Sequence, residues 1–180
     1  AKCAVLGYGS WATAIVKTLT VNHHHVNWLV LNDDILQSLE ERSHNIKYLP
    51  WCYIDKEFIS PSKDINEVVR DVDIVLLAMP SAFLTKFLEP LKESLADKIV
   101  VSAVKGIIPG DYLTIVEHMN RYYDVPMQNL VVVTGPSHAE EVGQCRLSYL
   151  TVASEDNASA ERVKELLAND FFRCSISGDV

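Results

Sequence analysis

No two cysteines of this 180-residue chain stand at C-x-x-C spacing. The four thiols, Cys3, Cys52, Cys145 and Cys174, are scattered, which points to a reducing, cytoplasmic setting. No apolar run approaches the ~20 residues needed to span a bilayer, so membrane insertion is not expected. A secretory leader is not expected either, because the first apolar segment is short and runs straight into a glycine turn. Positive charge is in deficit. The formal net charge of -8 argues against nucleic acid or an anionic membrane as the main partner. Internal repeats and low-complexity stretches are missing as well.

What is present is an ordinary globular composition, 48% hydrophobic and 22% charged, so the chain folds rather than staying disordered. A domain of this length buries roughly 70% of the surface its unfolded chain exposes, and it needs no disulfide or metal staple.

Strand-like and helix-like segments alternate throughout. Strands are predicted at Lys2–Leu6, Val26–Leu31, Asp73–Ala78, Lys98–Ala103, Leu130–Thr134, Leu147–Ala153 and Phe171–Ser177. Helices are predicted at Ser10–Thr20, Asp33–Arg42, Asp64–Arg70, Ser81–Ser94, Asp111–Tyr122 and Ala158–Leu167, with Asn32 or Asp33 capping the second. Ser43–Ser60 has no clean period and reads as an irregular connection with one brief strand at "EFIS". The alternation implies an α/β fold: a doubly wound, mostly parallel Rossmann-like sheet with helices on both faces. Whether the last strands pair antiparallel stays open at this level.

The stretch "AVLGYGSWATAI", Ala4 to Ile15, puts two glycines directly between a strand and a helix. Gly7 permits the tight turn out of the strand. Gly9 has no side chain, so a pyrophosphate can approach the backbone, and Ala12 fills the small third position of the G-x-G-x-x-G/A pattern. The free amides and positive dipole end of the following helix would face the phosphates. The implied cofactor is NAD or NADP. An acidic residue after the second strand favours NAD, whereas a basic one accommodates the extra phosphate of NADP. The chain has Leu31-Asn32-Asp33-Asp34 there, with no basic residue nearby in sequence, and so leans to NAD.

Other features read as structural. His23-His24-His25 are adjacent and point in different directions, a poor set for a metal. His138 beside Glu140 and Glu141 fits a helix start. Phe83 and Phe87 read as a core stripe, and none of the cysteines sits in an electropositive motif.

Together with "GYGSWATA", the stretches "KYLP" (Lys47–Pro50), "AMPS" (Ala78–Ser81), "SAVKGI" (Ser102–Ile107) and "TGPSHAEEV" (Thr134–Val142) closely resemble bacterial NAD(P)-dependent glycerol-3-phosphate dehydrogenases. The resemblance implies that Ser10, Trp11, Asn32, Tyr48 and Ala139 contact the cofactor. It implies that Lys105 touches both cofactor and substrate, and that Gly135 and Ser137 contact a small phosphate substrate. Many members of the family carry a basic residue at or beside the position of Leu31-Asn32, which this chain lacks.

The resemblance further implies that residues 1–180 form the dinucleotide-binding domain. A helical catalytic domain, with the principal proton-transfer lysine, would follow beyond Val180. The implied reaction interconverts sn-glycerol 3-phosphate and dihydroxyacetone phosphate and feeds glycerophospholipid synthesis, with a homodimer in the full-length protein. Two other readings stay open: another two-domain dehydrogenase of a hydroxy acid or phosphate, and a non-catalytic NAD-binding sensor module.

Overall fold

The structure, a computed structural model, describes residues 2–103, 108, 110, 112–135 and 139–178. Its strands are β1 (Lys2–Leu6), β2 (His25–Leu29), β3 (Ile59–Ser62), β4 (Ile74–Leu77), β5 (Ile99–Ser102), β6 (Leu130–Thr134), β7 (Ser148–Ala153) and β8 (Phe172–Ser177). Its α-helices are α1 (Ser10–Val21), α2 (Asp33–Arg42), α3 (Ile65–Val69), α4 (Leu84–Leu88), α5 (Ile115–Tyr122), α6 (Ala139–Gly143) and α7 (Asn157–Leu167).

Among the described residues, eight strands form one sheet in the order β3-β2-β1-β4-β5-β6-β7-β8. Every neighbouring pair is parallel except β6 and β7. The reversal falls in the connection that holds α6, after which β7 runs back along β6 with Val132 opposite Ala153 and Thr134 opposite Thr151.

Successive residues of a strand point to opposite faces, so a strand covered on both sides must be apolar throughout. In β4, Ile74 and Leu76 join one buried cluster, while Val75 and Leu77 join the other. The first cluster also holds Ile15 and Leu19 of α1 and Val163 and Leu166 of α7. The second takes Val68 of α3, Leu84 of α4 and Met119 of α5. The doubly wound expectation holds, with a core on each face.

Several predicted elements differ in their bounds from what formed, and three show why. The helix predicted over Ser81–Ser94 is a 3₁₀ turn at Ser81–Phe83 followed by α4, which ends at Leu88. Pro90 has no amide to extend the ladder. Beyond it the chain bonds elsewhere, the Asn66 side chain accepting from Lys92 N at 2.7 Å and Glu93 N at 3.1 Å. The helix predicted from Asp111 starts at Ile115, because Thr114 caps it through Oγ1 and Glu117 N at 3.2 Å. The brief strand in the irregular connection runs over Ile59–Ser62 and includes Pro61, tolerated because β3 lies at the sheet edge. No helix among the described residues is long and apolar enough to cross a membrane.

Candidate functional site

In an open parallel sheet, ligands gather at the C-terminal strand ends where the winding direction reverses. Here that point lies between β1 and β4, with β2 and β3 on one side and β5 onward on the other. The glycine turn sits on it, and its two glycines answer different demands. Gly7 has φ +125, and a Cβ there would lie 2.6 Å from the Ala78 carbonyl oxygen at the end of β4. The fold itself requires that glycine. Around Gly9, by contrast, a Cβ would meet nothing within 4 Å. The protein does not need glycine at this position for its own packing, and the space it leaves opens outward.

The carbonyls of the turn are held inward by side chains. Trp28 Nε1, fully buried on β2, donates to Gly7 O at 2.6 Å. Asn45 Nδ2 donates to Tyr8 O at 3.0 Å, and Thr13 Oγ1 to Gly9 O at 2.8 Å. An α-helix also leaves its first amides without intrahelical partners. At α2, α3, α5 and α7 a side chain accepts from one of them: Asn32, Asp64, Thr114 and Asp156 respectively. At α1 the N-cap is Gly9, no side chain takes that place, and the first turn carries no acid. Inward carbonyls, an uncapped helix start and an open Gly9 together make a cradle suited to a diphosphate.

Two crevices flank Gly9. One, of about 250 Å³, lies among Gly7, Gly9, Tyr48, Met79, Phe83 and Phe87. The other, of about 340 Å³, lies among Gly9, Ser10, Trp11, Met79, Pro80 and Ser81. The tertiary structure thus brings Gly7, Gly9, Ser10, Trp11 and Tyr48 together. The Phe83 ring corrects the core reading made from sequence. It is 53% exposed and forms a crevice wall, because the short 3₁₀ turn ahead of α4 rotates it off the buried stripe. Phe87 does pack against the core. Trp11 Nε1 donates to Ala103 O at 2.9 Å, fastening the start of α1 to the end of β5. Lys105 lies outside the described residues.

At the end of β2, Asn32 is the cap of α2, its side chain accepting from Ile35 N at 3.1 Å. No basic residue stands near Asn32 in sequence, and the fold supplies two. Lys63, which follows β3, places Nζ 2.9 Å from Asp33 Oδ1. Lys47 Nζ lies 3.9 Å from Asp34 Oδ2. All four side chains are largely solvated, so each pair contributes little stability, about 0–1 kcal/mol. Their effect is on local charge, which the two lysines offset.

Gly135 follows β6, and a Cβ there would come 2.7 Å from Tyr149 O of β7. Close packing against the antiparallel neighbour therefore accounts for this glycine. Ala139 opens α6 and packs, half-buried, against the core. Ser137 and His138 lie outside the described residues. The histidine run disperses: His23 stacks on Phe58 with centroids 5.3 Å apart, and His25 Nε2 pairs with Ser60 Oγ at 2.7 Å. Burial lowers the His24 pKa. Burial also pushes the Cys3 thiol up to about 12 and those of Cys52 and Cys174 to about 11, which leaves them in the unreactive form at neutral pH. The bracing residues Trp28, Thr13 and Asn45 escaped the sequence reading, since nothing in their spacing announces a contact with the glycine turn.

Residues 2–160 match the family model described as NAD-dependent glycerol-3-phosphate dehydrogenase N-terminus. A glycerol-3-phosphate dehydrogenase [NAD(P)+] of Latilactobacillus sakei is 34% identical, the match covering 98% of this chain and 53% of that protein. The protein of the same name from Bacillus pumilus is 32% identical over 99% of this chain and 52% of its own. Among solved structures, the glycerol-3-phosphate dehydrogenase of Coxiella burnetii superposes with a TM-score of 0.85 at 23% identity, covering 99% of this chain and 54% of that one, a likeness of fold. The chain spans about half the length of the curated relatives it matches. On the family match and these identities, the chain belongs to the NAD-dependent glycerol-3-phosphate dehydrogenase N-terminal family.

Proposed function

We propose that residues 1–180 are the dinucleotide-binding domain of an NAD(P)-dependent glycerol-3-phosphate dehydrogenase. The observation that carries this reading is the open position at Gly9 beside an uncapped α1. In this reading Gly7, Gly9, Ser10 and Trp11 cradle the diphosphate. Asn32 meets the adenosine end at β2, and Tyr48 and Ala139 contact the cofactor from the other walls. When bound, the dinucleotide supplies or accepts a hydride.

The residues of this chain orient reactants and manage charge. Lys105 holds negative charge on the substrate phosphate or the reacting oxygen, as a lysine ammonium is suited to do. Gly135 and Ser137 contact the substrate. The principal proton-transfer lysine and most of the grip on the substrate phosphate belong to a helical domain beyond residue 180. The reaction is the reversible interconversion of sn-glycerol 3-phosphate and dihydroxyacetone phosphate, in the cytoplasm, by a homodimer, and it supplies glycerophospholipid synthesis.

NAD is the favoured dinucleotide, by a modest margin. Asp33 and Asp34 open α2 where the ribose hydroxyls would lie, and the pairing of Asp33 with Lys63 tempers the exclusion of NADP. Calorimetric titration of the chain with NAD and with NADP tests this. The expected result is saturable binding of both, tighter for NAD, with little turnover of glycerol 3-phosphate. Absence of dinucleotide binding, or full turnover by these residues alone, overturns the reading.

A further inference from the structure

Asn45 lies in the irregular connection between α2 and β3, is 0% exposed, and uses every polar valence of its side chain. Its amide nitrogen donates to Tyr8 O at 3.0 Å and to Thr13 Oγ1 at 3.0 Å. Its amide oxygen accepts from Lys47 N and Tyr48 N, both at 3.1 Å. Thr13 Oγ1 in turn donates to Gly9 O at 2.8 Å. One buried amide therefore holds both the glycine turn and the backbone that presents Tyr48. Gly7, Gly9 and Tyr48 all line the 250 Å³ crevice beside Gly9.

Packing alone does not call for an asparagine here. A leucine has the same branched shape but is larger and would leave Tyr8 O and the amides of Lys47 and Tyr48 without these partners, and polar groups persist in a core when their bonds specify geometry. The bonds of Asn45 specify one distance, that from the glycine turn to Tyr48. We propose that Asn45 is a positioning residue for dinucleotide binding, fixing that separation so that the glycine turn and Tyr48 act together. The inference rests on the proposed binding of NAD at this edge.

A double-mutant cycle on NAD affinity tests it, using Asn45→Leu, Tyr48→Ala and the pair, with folding verified by circular dichroism and thermal melting. Tyr48→Ala alone weakens binding about tenfold, and in the Asn45→Leu background its further effect falls within about twofold, because the ring is no longer held in register. Should Asn45→Leu fail to fold, Asn45→Ser, which leaves room for water to satisfy the same backbone groups, carries the cycle. Effects of the two substitutions that simply multiply in the pair overturn the positioning role while the dinucleotide reading stands. Unchanged affinity in Tyr48→Ala removes Tyr48 as a cofactor contact and this proposal with it. Failure of the unsubstituted chain to bind NAD overturns both readings.

Discussion

Trp11 and Ala103, 92 residues apart in the chain, are joined by a 2.9 Å hydrogen bond from the indole Nε1 to the backbone carbonyl. The bond ties the first turn of α1 to the end of β5, two residues before Lys105 in sequence. The start of α1, where the proposed cofactor cradle lies, is thus held in fixed relation to the end of β5. Trp11→Phe keeps an aromatic ring, though a smaller one, and removes the donor. The expected cost is about 1 kcal/mol of stability, read by urea denaturation, together with weaker NAD binding by calorimetry.

The two turn glycines should separate stability from binding. Gly7→Ala places a methyl group against the Ala78 carbonyl at a positive φ, and about 3 kcal/mol of destabilisation is expected in thermal or urea unfolding. Gly9→Val meets open space in the protein. It should leave the melting temperature nearly unchanged while abolishing measurable NAD binding.

Lys63 should influence which dinucleotide binds. Its ammonium stands 2.9 Å from Asp33 at the end of β2. Lys63→Glu leaves Asp33 without its cation and adds a second anion, so NADP affinity should fall several-fold more than NAD affinity. The difference should shrink as salt is raised, because both groups are exposed. Parallel titrations at low and high ionic strength read this out.

The thiols give a pH dependence. Burial raises Cys3 from 9.0 to about 12, and Cys52 and Cys174 from 9.0 to about 11. A raised folded pKa means that the folded state keeps its protons longer than the unfolded one. Stability from this source is complete below pH 9 and is lost as pH rises through 11 to 12. Unfolding free energy should therefore decline above pH 9. At pH 8, Cys3, Cys52 and Cys174 should label with a thiol reagent only slowly until the chain is unfolded.

Much of this could be read from the one-dimensional order of residues. Apolar runs such as "DIVLLA" announced strands buried on both faces, and Asn32-Asp33 announced the start of α2, because periodicity and capping are local effects. The glycine pattern marked the cradle for the same reason. Phe83 shows where local pattern misleads: its spacing suits a buried stripe, yet the helix begins after it and the ring faces a crevice.

Contacts between distant segments needed the folded chain. That Lys63 and Lys47 stand beside Asp33 and Asp34, that β7 runs against β6, and that Gly7 and Gly9 serve unlike ends all depend on which strands become neighbours. So does the reach of Asn45 across to Tyr8 and Thr13. Residue order specifies each strand and helix through interactions a few positions long. The partners of a side chain at the sheet edge are set by how the whole sheet is wound, and no short-range pattern carries that information.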